Sequence, residues 1–463
     1  MRYTNRIVLF LILACLTSSP VSGLNLSEVI PSAHRELSLK EIHNLNVPQN
    51  YKIQDVETIN DLAFAMIGSV QSQNQRSYGW IRIYSQFHLI NEFIIGDLVN
   101  QSNGNNFDLI ETDLLSVQAY ENQLFVLGNT YFKDLADGSY YNSSILLRLN
   151  AWDQMIKFSN FTFYPNYRAI SAQLIQSTQF NQSTFQYENI GYTYYMVQEN
   201  LLSSSGLPTT MSLLIYNKGS GGHIYGGPYL FEKTLNKHTI GFAPLQNQML
   251  YFQLNTKGQV QGTGLYNNVD LNGTYVTGNE FTGSDIDVGS LRDSAILVEY
   301  GSSENQIIFS ITSFSPNLDR VNWAYQLPSL PVSHFKLLTS NDAAYLSYTS
   351  YENGQYILNA LLVLGDGTLS SSVMLKDYYA IDAFQSGKNE IVIASKHGEA
   401  NALVFKEKLQ YPLDQAINAL VEIFTGQNLL GKILLLALVL MTMYKIWKKK
   451  SRHVSEELYP VED

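Results

Sequence analysis

Cysteine is almost missing from this chain. Among 463 residues there is one, Cys15. A chain without cystines is not a small disulfide-stapled module, and it has no cysteine-ligated metal centre. Its stability has to come from a sizeable core. Charge is sparse as well, at 15% of residues. The eight histidines, at 34, 43, 88, 223, 238, 334, 397 and 453, never fall in the H-x-x-x-H or H-E-x-x-H spacing that puts two imidazoles on one helical turn for zinc. No G-x-S-x-G nucleophile elbow occurs. The glycine-rich GSGGHIYGG (219–227) lacks the Lys-Ser/Thr of a phosphate loop and reads as an inter-strand turn. Helical periodicity is scarce before residue 413.

The two ends are apolar. Arg2 and Arg6 precede a core, Ile7 to Leu16, that is too short for the roughly 20 residues of a membrane span. Val21-Ser22-Gly23 then fits the small-residue rule for cleavage, so residues 1–23 read as a secretory signal peptide. Cys15 lies inside it. Near the other end, Leu429 to Trp447 is long enough to cross the hydrocarbon layer as a helix. Lys432 and Lys445 stand where long stems snorkel, and Tyr444 and Trp447 suit the interface. Lys445, Lys448, Lys449, Lys450 and Arg452 set the tail, 448–463, on the cytoplasmic side. The expected topology is type I, with the large N-terminal part at the cell surface or in an endomembrane lumen. The bilayer is thus one expected partner.

The leader's two arginines, Lys432 and the five basic residues from Lys445 onward take eight from the 29 basic residues. The tail's four acids come off 40 acidic ones. The expected ectodomain is therefore near −15, which argues against nucleic acid as a partner. N-x-S/T sequons at Asn25, Asn100, Asn142, Asn160, Asn181 and Asn272 are candidate glycan sites.

What fills the middle is β-rich. There are 31 tyrosines and 22 phenylalanines, and both favour strands. An apolar run with a small or polar stop recurs: DLAFAMIGSV (61–70), NQLFVLGNTY (122–131), NIGYTYYM (189–196), SAILVEYGSS (294–303), AAYLSYTS (343–350) and EIVIASKHG (390–398), with HTIGFAPL (238–245) a poorer match. Second runs closed by Asn, Gly or Asp turns follow, as in LLRLNAWDQ and LLVLGDGTL. A short strand precedes several units: KIQDVETI (52–59), LLSVQAY (114–120), FKLLTSN (335–341) and YYAIDAF (378–384). The stops are 46 to 63 residues apart, and each unit reads as three or four antiparallel strands. This pattern resembles the blades of a β-propeller, about seven of them over 51–410. The competing arrangement is two or three β-sandwich domains. The last unit has three strands, so the segment 24–50 is expected to supply its outer strand and close the ring. Residues 411–428 follow as a juxtamembrane amphipathic helix or stalk, with Leu413, Ile417, Leu420 and Phe424 on one face.

Chemistry is harder to place. GSDIDVGSLRD (283–293) offers Asp285, Asp287 and Asp293 as oxygens for Ca²⁺, the one metal candidate. The third alternating aspartate and the distal glutamate of a calcium loop are missing, and an acidic surface loop is the plainer reading. No other cofactor is expected. The whole is similar to type I membrane proteins with a lumenal or extracellular β-propeller. That likeness implies a binding or scaffold module for protein or glycan partners rather than an enzyme. Two alternatives stand beside it: a membrane-tethered glycan hydrolase using paired axial carboxylates, and a subunit of a multi-protein membrane complex in which Lys432 pairs with an acidic residue of another span.

Overall fold

The computed structural model describes residues 34–410, apart from the short segments 73–75, 103–105, 121–122, 153–154, 182–185, 202–208, 218–228, 236–239, 246–248, 255–258, 267–268 and 277–281, residues 304–305, and residues 329 and 341. The expected signal peptide, Asn25, the expected glycine-rich turn, the expected helix or stalk of 411–428, the Leu429–Trp447 run and the residues of the expected tail lie outside them. Among the described residues no helix is long and apolar enough to cross a membrane.

The strands form seven four-stranded sheets. In chain order they cover 51–94, 107–165, 167–235, 240–276, 282–326, 332–376 and 379–410, here sheets 1 to 7. In sheets 1 to 6 the strands run consecutively from first to fourth, and paired neighbours are antiparallel. The first strand of each sheet touches the first strand of the next, and that of sheet 7 touches that of sheet 1. The circuit is closed, and the architecture is an all-β β-propeller.

The packing explains the apolar runs. In the second strand of sheet 1, Ala63–Gln71, Ala65 and Ile67 join a core with Leu114, Val126 and Leu147 of sheet 2. Phe64 and Met66, on the other face, join Phe384, Ile391 and Ile393 of sheet 7. A strand sandwiched between neighbours is apolar at every position, so its period-2 signal is erased. The recurring runs at 61–70, 122–131, 189–196, 294–303, 343–350 and 390–398 are all second strands. HTIGFAPL was expected to be one of this set. It is instead the first strand of sheet 4, Ile240–Pro244, and YFQLN belongs to the second, Met249–Leu254. The Pro at its end and its short length are why it matched poorly. Gly68 sits opposite Trp80, with the Lys52 carbonyl and the indole occupying the space a Cβ would need. One short helix, α1 (Ile95–Ser102), caps the first junction by burying Ile95 and Val99, and it carries Asn100.

Closure depends on the N-terminal segment. His34–Asn44 is the outer strand of sheet 7, beside Glu399–Gln410. Leu45 N–H donates to the Ala400 carbonyl at 3.0 Å, and Asn44 Nδ2 to Glu399 Oε2 at 3.0 Å. Leu37 and Leu45 are buried. Sheet 1 reaches over as well: the Tyr84 hydroxyl donates to the Leu45 carbonyl at 3.2 Å and Arg82 Nη1 to that of Asn46 at 3.3 Å. The start of the described chain is thus fixed to its end and to the sheet that follows.

Leu45 is 2% exposed in the core shared by sheets 7 and 1. Leu45→Ala is expected to cost about 2–4 kcal/mol in urea unfolding, and an equally truncating change at exposed Leu62 well under 1 kcal/mol. Equal midpoints for the two variants would mean that the seam is not part of the cooperative unit.

Candidate functional site

The first strands line a cavity of about 560 Å³ on the axis, and all seven contribute to its wall. What points into it follows from a local irregularity. In sheets 1, 2, 3, 6 and 7 the pairing of first with second strand skips a residue, at Gln54, Leu115, Ile170, Ser333 and Ile381. Such bulges bend a strand and re-aim the residues that follow.

Three first-strand aspartates do the same work, and two of them, Asp55 and Asp382, directly follow such a point. Asp55 takes its own neighbour's amide, Val56 N–H, on Oδ1 at 3.1 Å and the amide of Val117 in sheet 2 on Oδ2 at 2.7 Å. Asp382 takes Ala383 N–H at 2.8 Å and Val56 N–H of sheet 1 at 2.7 Å. Asp287 takes Val288 N–H at 2.9 Å and Leu337 N–H of sheet 6 at 2.7 Å. Each carboxylate ties its sheet to the next through a charge-assisted bond. Neutral groups serve elsewhere: Gln118 Oε1 accepts from Leu174 N–H at 2.8 Å, and Thr349 Oγ1 from Ala380 N–H at 2.7 Å.

Sheet 6 breaks the pattern. The amide that Asp287 captures there belongs to Leu337, so Lys336 stands just before the captured amide, where Asp55 stands in sheet 1. Its Nζ lies 3.1 Å from Asp382 Oδ1 and 3.9 Å from Asp55 Oδ1. Asp382, above all, holds the ammonium protonated. Burial raises Asp55 well above the usual carboxylate range, and repulsion from Asp382 adds to it. Burial pushes Asp287 up to about 6, against the pull of Lys336. Glu57, two residues beyond Asp55, is pushed by burial to about 7, with Oε1 accepting only the adjacent Thr58 N–H at 3.0 Å. Lys336 leaves 33% of its side chain and Asp55 15% facing the lumen, so solvent screens part of these interactions.

The calcium candidates do not assemble. Residues 282–291 form a strand rather than a loop, because Ile286 packs into the core between sheets 4 and 5. Asp287 is engaged as above, Asp285 is exposed and bonds its own neighbour Ile286 N–H at 2.9 Å, and Asp293 is in the following hairpin turn. Among the described residues no group of three His, Cys, Asp or Glu is placed to hold a metal. Of the sequons, Asn142 is exposed on the third strand of sheet 2. Asn160, Asn181 and Asn272 lie on strands. Sequence reasoning did not single out Asp55, Glu57, Lys336 or Asp382. The available signal was a charged residue in the middle of an apolar first strand, as in IQDVE, FKLL and AIDAF.

No protein-family model matches the sequence, and no curated protein matches it. Solved structures match the fold. The WD40 domain of Toxoplasma gondii coronin is similar with a TM-score of 0.50 at 8% identity, over 83% of this chain and 91% of that one. The WD40 domain of SCAP from fission yeast gives 0.43 at 11%, over 81% and 90%. The propeller domain of the Trilobed protease from Pyrococcus furiosus gives 0.43 at 9%, over 79% and 98%. At such identities the likeness speaks to the fold alone.

Lys336→Met removes the one ammonium facing these aspartates. The expected loss is about 2–3 kcal/mol, after discounting for the part of the lysine that faces solvent. The pH dependence has a definite sign. Asp55, Asp287 and Glu57 bind protons more tightly folded than unfolded. Raising the pH from about 4 to 7 therefore favours the unfolded chain, and more steeply without the lysine. Urea midpoints of wild type and variant should lie close together at pH 5 and well apart at pH 8. A pH-independent gap would show that the ion cluster is not the cause.

Proposed function

We propose that this chain is a membrane-anchored, seven-bladed binding or scaffold module for protein or glycan partners. Its single span is Leu429–Trp447, its propeller is extracellular or lumenal, and its basic tail, Lys445 to Arg452, is cytoplasmic. The observation that carries the non-enzymatic part is the state of the axial carboxylates. Asp55, Asp287 and Asp382 each spend both oxygens on backbone amides, and Asp55 and Asp382 face Lys336 besides. They are joints between sheets. Binding surface is available on the outer edges, where Val321, Tyr325, Leu369 and Met374 are exposed on the fourth strands of sheets 5 and 6.

The hydrolase alternative keeps one foothold, Glu57, whose pKa near 7 in a ligand-sized cavity suits acid–base work. Among the described residues, Asp55, Asp287 and Asp382 are committed to the joints and do not supply its second carboxylate. The subunit alternative rests on Lys432, and it requires a partner that stays bound in detergent and is lost in Lys432→Leu.

Two measurements test the proposal. In sealed microsomes holding the full chain, protease should remove an epitope at the C-terminus and spare one placed after residue 23. The opposite pattern overturns the topology. On a glycan array followed by product analysis, wild type and Glu57→Gln should behave alike, without turnover. Turnover by wild type that Glu57→Gln abolishes would establish the hydrolase.

A further inference from the structure

A second cavity, about 340 Å³, opens between sheets 2 and 3, bordered by Thr112, Asp113, Tyr131, Asn142, Tyr167 and Arg168 among others. It is polar but not satisfied. Thr112 is 1% exposed, and its Oγ1 has no hydrogen-bond partner among the described residues. Buried hydroxyls are rarely left in that state. Burial raises the Asp113 carboxyl, with Lys52, Ser69 and Arg168 opposing. The cavity wall offers a carboxyl, a guanidinium and two phenol rings. That mixture of donors, acceptors and flat apolar faces suits a sugar.

Asn142 stands at the rim. It is exposed, and it lies directly across the strand pair from Tyr131. Tyr131 in turn stacks on Tyr140, with ring centroids 5.8 Å apart, and Lys133 lies over Tyr140 at 5.5 Å. Asn142 is also the asparagine of the sequon Asn142-Ser143-Ser144. Ser144 is fully buried and accepts a hydrogen bond from Gln198 of sheet 3, so any transfer that reads this serine precedes folding. In the lower range of ligand pockets (about 300–1,000 Å³), the cavity has room for a pyranose ring or two.

We infer that Asn142 carries an N-linked glycan whose first sugars occupy this cavity, against Tyr131. The inference rests on the lumenal placement proposed above. The donor is a lipid-diphosphate-linked oligosaccharide, used by the transferase of that compartment. The Asn142 amide nitrogen forms a bond to C1 of the first sugar as the C1–O bond to the diphosphate breaks. The diphosphate leaves with the bonding pair, and the amide proton passes to the transferase's base. The glycan then acts as a wedge between sheets 2 and 3, placed as the chain folds around it.

The test begins with wild-type full chain made in secretory eukaryotic cells. Peptides released by peptide N-glycosidase in heavy-oxygen water should carry labelled aspartate at position 142. Asn142→Gln should then melt lower by about 1–2 °C. Tyr131→Ala should lower the melting temperature of the glycosylated protein more than it lowers that of Asn142→Gln. Label at other sequons with Asn142 bare overturns the inference and leaves the lumenal reading standing. All six bare overturns both. An equal cost of Tyr131→Ala in the two backgrounds overturns the seating of the sugar.

Discussion

The hydrogen bond from Val56 N–H to Asp382, 2.7 Å long, joins the last sheet of the ring to the first. Everything else in the fold depends on bonds of this kind. A first strand has a sheet neighbour on one side only, and its other edge faces the axis and the adjoining sheets. The amides there are buried with no ladder to join, and an unmet buried amide costs more than a met one gains. A carboxylate from the preceding sheet answers this need twice over, for its own strand and for the next. The same arrangement at Asp55 and Asp287 sets the spacing of neighbouring sheets. With no cysteine beyond Cys15, the ring has to be locked this way or by packing, and here both act at one place. Phe64, Phe384 and Ile393 fill the space outside the same junction.

A ring of aspartates has a cost. Carboxylates brought together in a partly dry lumen repel one another, and burial penalises each. Lys336 of sheet 6 offsets this by directing its ammonium at Asp382 and Asp55. One cation faces three aspartates and Glu57, so the balance stays negative unless protons are held. Asp55, Asp287 and Glu57 are all displaced toward holding them. The displaced aspartates on the axis are thus the consequence of a structural device, and perturbation by itself does not mark a catalyst.

The parts of this fold legible in the sequence were those where burial is two-sided. DLAFAMIGSV and EIVIASKHG are conspicuous because both faces of those strands are covered. The three-strand count of the last unit was equally readable, and with it the role of His34–Asn44. Sheet 4 was misplaced by one strand because its first strand is short and ends in Pro244, while its second, MLYFQL, carries Gln253 among apolar residues. The axial site was not legible for a different reason. Asp55, Asp287, Lys336 and Asp382 meet across strands of four different sheets, and nothing along the chain relates them until the ring exists. Local acid spacing instead drew attention to Asp285, Asp287 and Asp293. The one that matters, Asp287, matters through Leu337 N–H, fifty residues away.

This division of labour bears on where activity can reside. An oxygen that accepts a backbone amide at 2.7 Å is held by geometry as well as charge, and to act as an acid or base it would have to give up that bond in every turnover. For Asp55 or Asp382 this would open a junction of the ring. A carboxylate used as a joint is therefore a poor proton carrier, however much its titration is displaced. Groups whose loss would leave the ring closed lie elsewhere. They line the faces between sheets, as at the cavity beside Asn142, and they stand on the exposed fourth strands, as Met374 does.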